Sequence, residues 1–126
     1  MTTRIMIVDD SNMIRNRISR VCQAEASADC EVVATARNGL EALSMCAASN
    51  PDLVTMDLTM PGMDGEACIE ALVKRYPNLL ILVVSALSDK ATAIRALKKG
   101  AHGFLYKPFT DDQLIASLRE LSPVNA

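Results

Sequence analysis

Pro51-Asp52-Leu53-Val54-Thr55-Met56-Asp57-Leu58-Thr59-Met60-Pro61-Gly62-Met63-Asp64-Gly65, residues 51–65, is the stretch that decides the fold. Its core, Leu53–Met56, is short and nearly all apolar, without the polar alternation of a half-exposed strand. A run of that kind bounded by turn residues fits a strand buried on both faces, the pattern of a parallel sheet. Four more runs share the character: Ile5–Val8, Val32–Ala36, Leu79–Val84 and Gly103–Tyr106. Most of them end on reactive chemistry. Asp9 and Asp10 close the first run, Asp57 the third, Ser85 the fourth and Lys107-Pro108 the fifth.

Between the runs, apolar residues recur at helical spacing. The first segment carries Ile14, Ile18, Val21 and Cys22 on one face, with Ser11 as its N-cap. The second, opened by Asn38-Gly39, turns Leu40, Leu43, Met45 and Ala47 toward the core. The third uses Ala67, Ile69, Leu72 and Val73 and stops before Tyr76-Pro77. The fourth, Lys90–Lys99, buries Ala93, Ile94 and Leu97 and ends at Gly100 as its C-cap. In the last, Asp111–Leu121, Leu114, Ile115, Leu118 and Leu121 share a face; Thr110 caps it, and Asp111-Asp112 complement the dipole in the first turn. Five strands alternating with five helices predict a doubly wound α/β domain with parallel strand order 2-1-3-4-5, one unit over residues 1–126.

Composition narrows the function classes. The chain has 126 residues, which suits a single core. Half of the residues are hydrophobic but only 3% are aromatic, so the core is built from Leu, Ile, Val, Ala and Met. A net charge of −2 without a Lys/Arg cluster gives no footprint for nucleic acid or for an anionic membrane surface. The apolar stretch after Arg4 is too short for a signal peptide, and no run approaches a membrane span. Cys22, Cys30, Cys46 and Cys68 have no CxxC spacing and read as small apolar residues of a reduced, cytoplasmic protein.

In a parallel sheet the carboxyl ends of the strands share one edge, and ligands bind at the switch point, here between strands 1 and 3. That edge gathers Asp9, Asp10, Asp57 and Lys107, residues up to 98 positions apart. Mg²⁺ takes six oxygens, keeps several waters, and is held by one or two carboxylates plus a phosphate. Asp10 and Asp57 are the candidate direct ligands, Asp9 acts through water, and a main-chain carbonyl just after Asp57 adds another. Alone, an Asp9-Asp10 pair after a strand reads as a solvated turn; Asp57 at a second strand end turns the reading to a metal site. Asp57 is also the candidate nucleophile, because carboxylates form acyl-phosphate intermediates. Phosphoryl transfer depends on positioning and on neutralising the equatorial oxygens. Lys107 offers the ammonium and Ser85 the hydroxyl for that task. Pro108 confines Lys107 to extended backbone, with either isomer of the Lys107–Pro108 bond open. Gly62 and Gly65 read as positions of unusual backbone angle, and Met60 and Met63 as exposed residues beside the site that meet a partner.

Taken together, Val8-Asp9-Asp10-Ser11 with Arg15, Asn38-Gly39 with Ala42-Leu43, Pro51–Val54, Asp57 with Met60–Gly65, Ser85-Ala86, Gly100-Ala101 and Lys107-Pro108-Phe109 form a highly specific pattern. The chain resembles a receiver domain of the two-component response regulators, of the stand-alone CheY-like kind, with its flavodoxin/CheY-like fold. The resemblance implies that Asp57 accepts a phosphoryl group from a phosphohistidine on a histidine kinase or histidine phosphotransfer protein. It implies Mg²⁺ held by Asp9, Asp10 and Asp57, with the Thr59 main-chain carbonyl completing the protein ligands. It also implies a switch, in which Ser85 is drawn to the phosphoryl group and Phe104 turns inward. The face made by the fourth helix, fifth strand and fifth helix is then remodelled for a protein target bound in trans. Phe104 has no hydroxyl and buries without needing a polar partner; Tyr106 reads as facing away from it.

Two departures from the family pattern shape the expectations. Members that dimerise through that face, as in OmpR-type transcription factors, carry an Asp where this chain has Gly103, preceded by His102, so the chain reads as a monomer. Members that lose phosphate quickly have polar residues two past the acceptor and two past the hydroxyl; here these are Thr59 and Leu87. Leu87 cannot orient an attacking water, so slow self-dephosphorylation is expected. His102, the only histidine, reads as an exposed strand-start residue.

Three function classes remain in view. The first is a phosphorylation switch, in chemotaxis or motility, or alternatively a phosphate sink or shuttle in a multistep phosphorelay. The second is a Mg²⁺-dependent aspartyl phosphohydrolase, which needs a second Asp two residues past the nucleophile as general acid; Thr59 stands there. The third is an interaction module that is never phosphorylated, for which the fold alone would require neither acids nor lysine. The first is the expectation: a phosphoacceptor, not an enzyme.

Overall fold

The computed structural model describes residues 2–24, 30–60, 62–87 and 89–121, so Pro61 of the loop motif and the 122–126 tail lie outside the described residues. The elements run β1 (Thr3–Val8), α1 (Asn12–Gln23), β2 (Cys30–Ala36), α2 (Gly39–Ser49), β3 (Leu53–Met56), α3 (Gly65–Arg75), β4 (Leu80–Ser85), α4 (Lys90–Lys99), β5 (Gly103–Tyr106) and α5 (Asp111–Leu121). All four strand pairings are parallel, in the order β2-β1-β3-β4-β5. This is the topology read from the sequence. No helix among the described residues is long and apolar enough to cross a membrane.

The unbroken apolar runs have a direct structural cause. Met6, Val8, Val54, Met56, Ile81 and Val83 point into one cluster with Cys46, Cys68, Ile69, Leu72 and Ala96 from α2, α3 and α4. Their strand neighbours Ile5, Ile7, Leu53, Leu82, Val84 and Leu105 point into the other, against Ile18, Val21, Leu114 and Leu118 of α1 and α5. The three central strands β1, β3 and β4 are buried on both faces, so they are apolar at nearly every successive position. β2 starts ahead of its apolar run, because Cys30 and Glu31 still pair with Thr3 and Arg4.

Side-chain caps fix where the helices begin. Ser11 accepts from the N–H of Ile14, Asn38 from Glu41, Asp64 from Ala67 and Asp89 from Thr92. At α5 the Thr110 hydroxyl and the Gln113 side chain exchange bonds with each other's backbone N–H, a reciprocal cap. Gly100 closes α4 at φ 122°, a conformation without penalty only for glycine.

The buried faces of three helices differ from the sequence reading. α2 buries Gly39, Ala42 and Cys46 with Leu43 packed beside them, while Leu40, Met45 and Ala47 are exposed. α3 buries Gly65, Cys68, Ile69 and Leu72, leaving Ala67 outside. α4 buries Thr92 and Ala96, and its large residues Ile94 and Leu97 are 43% and 50% exposed. Space explains this. At Gly39 a side-chain carbon would lie 2.9 Å from Met63 Cβ, so α2 must show small residues to its neighbour. On α4 the Thr92 hydroxyl bonds the Asp89 carboxylate at 2.7 Å, which lets a polar residue face inward. Arg95–Glu66 and Lys99–Glu70 pairs then turn the basic flank of α4 onto α3.

Candidate functional site

Backbone ladders carry on one residue past β1 and β3 and set two acids side by side. The N–H of Asp9 donates to the Ala36 carbonyl at 3.1 Å, and that of Asp57 to the Val8 carbonyl at 2.9 Å. Asp9 Oδ1 accepts from the N–H of Ser11 at 2.9 Å, and Arg15 Nη1 donates to the Asp9 carbonyl at 2.7 Å. Asp9, Asp10 and Asp57 each offer a carboxylate oxygen within 4.8 Å of the others. Asp9 and Asp57 are 1% and 2% exposed, whereas Asp10 faces solvent.

Lys107 arrives from the far end of the chain. Its N–H donates to the Ser85 carbonyl at 2.9 Å, continuing the β4–β5 pairing, and its bond to Pro108 is cis. Its Nζ lies 2.8 Å from Asp9 Oδ2 and 3.7 Å from Asp57 Oδ1. The N–H and hydroxyl of Thr59 both reach Asp57 Oδ1 at 3.3 Å. Three carboxylates therefore face one ammonium. Burial, with the Asp9 charge beside it, pushes Asp57 up to about 6, against the pull of Lys107 and the Thr59 N–H. This all-oxygen donor set with surplus negative charge fits a hard divalent cation.

Of the remaining sequence-derived residues, Ser85 ends β4 fully buried, and its hydroxyl accepts from the N–H of Leu87 at 3.1 Å. Phe104 is half-buried against the α2–α4 side of the sheet. The expectation for Tyr106 is wrong: its ring centroid lies 4.8 Å from that of Phe104, tilted by 46°. Strand residues two apart share a face, and it is Leu105 that points the other way, into the α1/α5 core. Met60 is also corrected, since it is buried at 8% exposure, and Met63 packs against the same core. Gly62 has φ 78°, as a loop glycine should. Gly65 does not have a positive φ; it is needed for close approach, with Leu58 Cα only 2.6 Å from where a side-chain carbon would lie. His102 is exposed just before β5, and its N–H and Nδ1 exchange bonds with the Ile81 backbone at 2.8 and 3.1 Å, which is a structural role.

One residue escaped the sequence reading. Arg17 of α1 reaches Phe109 and Asp111, just past Lys107, through contacts 92 and 94 positions apart in sequence. The available signal was its place among Ile14, Ile18 and Val21, where a charged residue flanks the buried stripe.

With this geometry in place, comparison with known proteins gives one answer. The family model described as "Response regulator receiver domain" matches residues 5–119. The chain is 38% identical over 122 residues to the chemotaxis protein CheY of Thermotoga maritima, covering 97% of this chain and 99% of that one. It is 36% identical to CheY of Listeria monocytogenes over 117 residues, covering 93% and 96%. Among solved structures, CheY4 of Vibrio cholerae superposes with a TM-score of 0.85 at 28% identity, covering 96% and 99%. CheY in the CheX-CheY-BeF3-Mg²⁺ complex of Borrelia burgdorferi also gives a TM-score of 0.85 at 28% identity, covering 94% and 87%. The chain belongs to the response regulator receiver domain family.

Proposed function

We propose that this chain is a stand-alone receiver that stores a phosphoryl group on Asp57 and signals through a protein bound in trans. The observation carrying the proposal is the triad of carboxylates within 4.8 Å of one another, bridged by Lys107 at 2.8 Å from Asp9 and 3.7 Å from Asp57. Asp9, Asp10 and Asp57, with the Thr59 main-chain carbonyl, would hold Mg²⁺. When bound, the ion supplies positive charge for the phosphoryl oxygens.

The donor is a phosphohistidine on a kinase or phosphotransfer protein. Asp57, with a pKa of about 6, is largely ionised at neutral pH and is competent to attack. A carboxylate oxygen forms the O–P bond as the N–P bond breaks, and the imidazole leaves with the electron pair. Lys107 is already within 3.7 Å of Asp57 and shifts from Asp9 onto a phosphoryl oxygen. The Ser85 hydroxyl accepts from Leu87 and has its own hydrogen to donate to that group. As Ser85 moves, Phe104 turns inward; because its ring packs, tilted, against Tyr106, the exposed phenol moves with it and the α4–β5–α5 face changes.

Thr59, where a phosphohydrolase would carry its general acid, touches Asp57 through a hydroxyl and an N–H, which supports storage over turnover. Leu87 offers no polar group to hold a water, so Leu87→Asn is expected to speed phosphate loss several-fold. The CheY relatives support chemotaxis or motility as the process. The reading is tested by weighing the intact protein after incubation with Mg²⁺ and acetyl phosphate. One phosphoryl adduct, absent in Asp57→Asn, is expected; steady phosphate release without an adduct would replace storage by hydrolysis.

A further inference from the structure

The segment that carries Lys107 is held from both sides. Upstream, Lys107 is anchored by its N–H on the Ser85 carbonyl. Downstream, one guanidinium from α1 grips the segment that follows. Arg17 Nη2 donates to the Phe109 carbonyl at 2.6 Å and to Asp111 Oδ1 at 3.1 Å, and Nε reaches the same oxygen at 3.3 Å. The guanidinium carbon also lies 4.4 Å above the centre of the Phe109 ring. Phe109 is 4% exposed and locked among Ile18, Val21 and Leu114.

Two alternatives are weaker. Asp111 alone is a surface partner, 63% exposed, and a single exposed ion pair contributes little. Ring packing alone would need no charge. Only the combination of carbonyl, carboxylate and ring uses the planar fork and the flat π face of arginine, which lysine lacks.

We propose that Arg17 is a positioning residue that acts through Lys107, fixing the Phe109–Asp111 segment so that the ammonium meets the phosphoryl oxygens. The inference rests on the phosphoacceptor reading above. A misplacement of about 1 Å near reacting atoms costs up to about a hundredfold in rate, and Lys107 Nζ already sits 2.8 Å from Asp9 and 3.7 Å from Asp57. The hydrogen bonds of Arg17 run to Phe109 and Asp111 and, among the described residues, to none of Asp9, Asp10 or Asp57, so cation binding should not depend on it.

The test uses the full chain in four forms: wild type, Arg17→Met, Lys107→Met and the double variant, with Arg17→Lys as a milder fifth. Rates of phosphorylation by acetyl phosphate in saturating Mg²⁺ are read by intact mass, and Mg²⁺ affinity by calorimetry. Arg17→Met should slow phosphorylation roughly tenfold with Mg²⁺ affinity unchanged, and Arg17→Lys should restore only part of the rate. In the Lys107→Met background, removing Arg17 should change nothing further, because its effect passes through the lysine. Multiplying losses in the double variant, or an undiminished rate in Arg17→Met, would overturn the proposal. A second readout does not depend on phosphorylation: labelling by an amine-reactive reagent, mapped by peptide mass. Lys107 should label several-fold faster in Arg17→Met while Lys98 is unchanged; equal Lys107 labelling would also overturn it. If wild type takes no phosphoryl group, the phosphoacceptor reading fails, and the labelling ratio still decides whether Arg17 holds Lys107.

Discussion

A side-chain carbon at Gly65 would lie 2.6 Å from Leu58 Cα and against the Asp57 carbonyl, both of them backbone that cannot rotate away. The first turn of α3 is thereby packed directly on the proposed phosphoacceptor, with the Gly65 N–H bonded to the Leu58 carbonyl at 3.2 Å. Gly65→Ala is therefore expected to destabilise the fold by about 1–3 kcal/mol through overpacking. Urea unfolding of the purified variant checks this, and a change under about 0.5 kcal/mol would show that α3 moves off at little cost. Asp57, Asp9 and Lys107 were legible in the sequence because each ends an apolar run, a local signal. Arg17 and the packing of Tyr106 against Phe104 were not. The first depends on a contact across 92 positions, and the second on applying the two-residue strand period correctly.

At the scale of elements, strands and caps were legible, and helix phase was legible for α1 and α5 but not for α2 and α4. A strand buried on both faces announces itself by composition, and Ser11, Asn38 and Thr110 announce helix starts by their side-chain oxygens. Phase is harder, because α2 and α4 carry large apolar residues on one flank and small ones on the other. In both, tight packing chose the small flank for the core. The consequence for α4 is measurable. Ile94→Ser and Leu97→Ser, at exposed positions, should each change stability by less than about 0.5 kcal/mol. Ala96→Leu, at a position with no exposure, should cost about 1–3 kcal/mol. The reverse ranking in thermal melts would mean that α4 is rotated in solution. Exposed Ile94 and Leu97 of α4 and Tyr106 of β5 also give the proposed output face its apolar character.

For the whole molecule, the acid cluster costs stability, which the proposed function exchanges for readiness to bind a cation and a phosphoryl group. Asp57 titrates at about 6 when folded and at about 4 when unfolded. Between those values the folded chain keeps a proton that the unfolded chain has released. Stability from this group is thus present at low pH, falls as pH rises from about 4 to about 6, and stays lower above that. Without divalent cation, Asp57→Asn removes the penalty. Its stability advantage over wild type should be near zero at pH 4 and reach roughly 1–3 kcal/mol above pH 7. Adding Mg²⁺ should shrink that advantage by stabilising wild type alone. An advantage independent of pH, measured by denaturant unfolding across this range, would mean that the Asp57 carboxylate is not the strained group.

The central claim is that phosphate rests on the Asp57 carboxylate, and acyl-phosphate chemistry tests it directly. Borohydride reduces an aspartyl phosphate to homoserine and leaves free carboxylates and other phosphoresidues alone. The protein is treated with Mg²⁺ and acetyl phosphate, reduced, digested and sequenced by mass spectrometry. Homoserine at position 57, dependent on the donor, is the expected result. A phosphoryl adduct mapped to Ser85 or His102, with an unreduced aspartate at 57, would contradict the account.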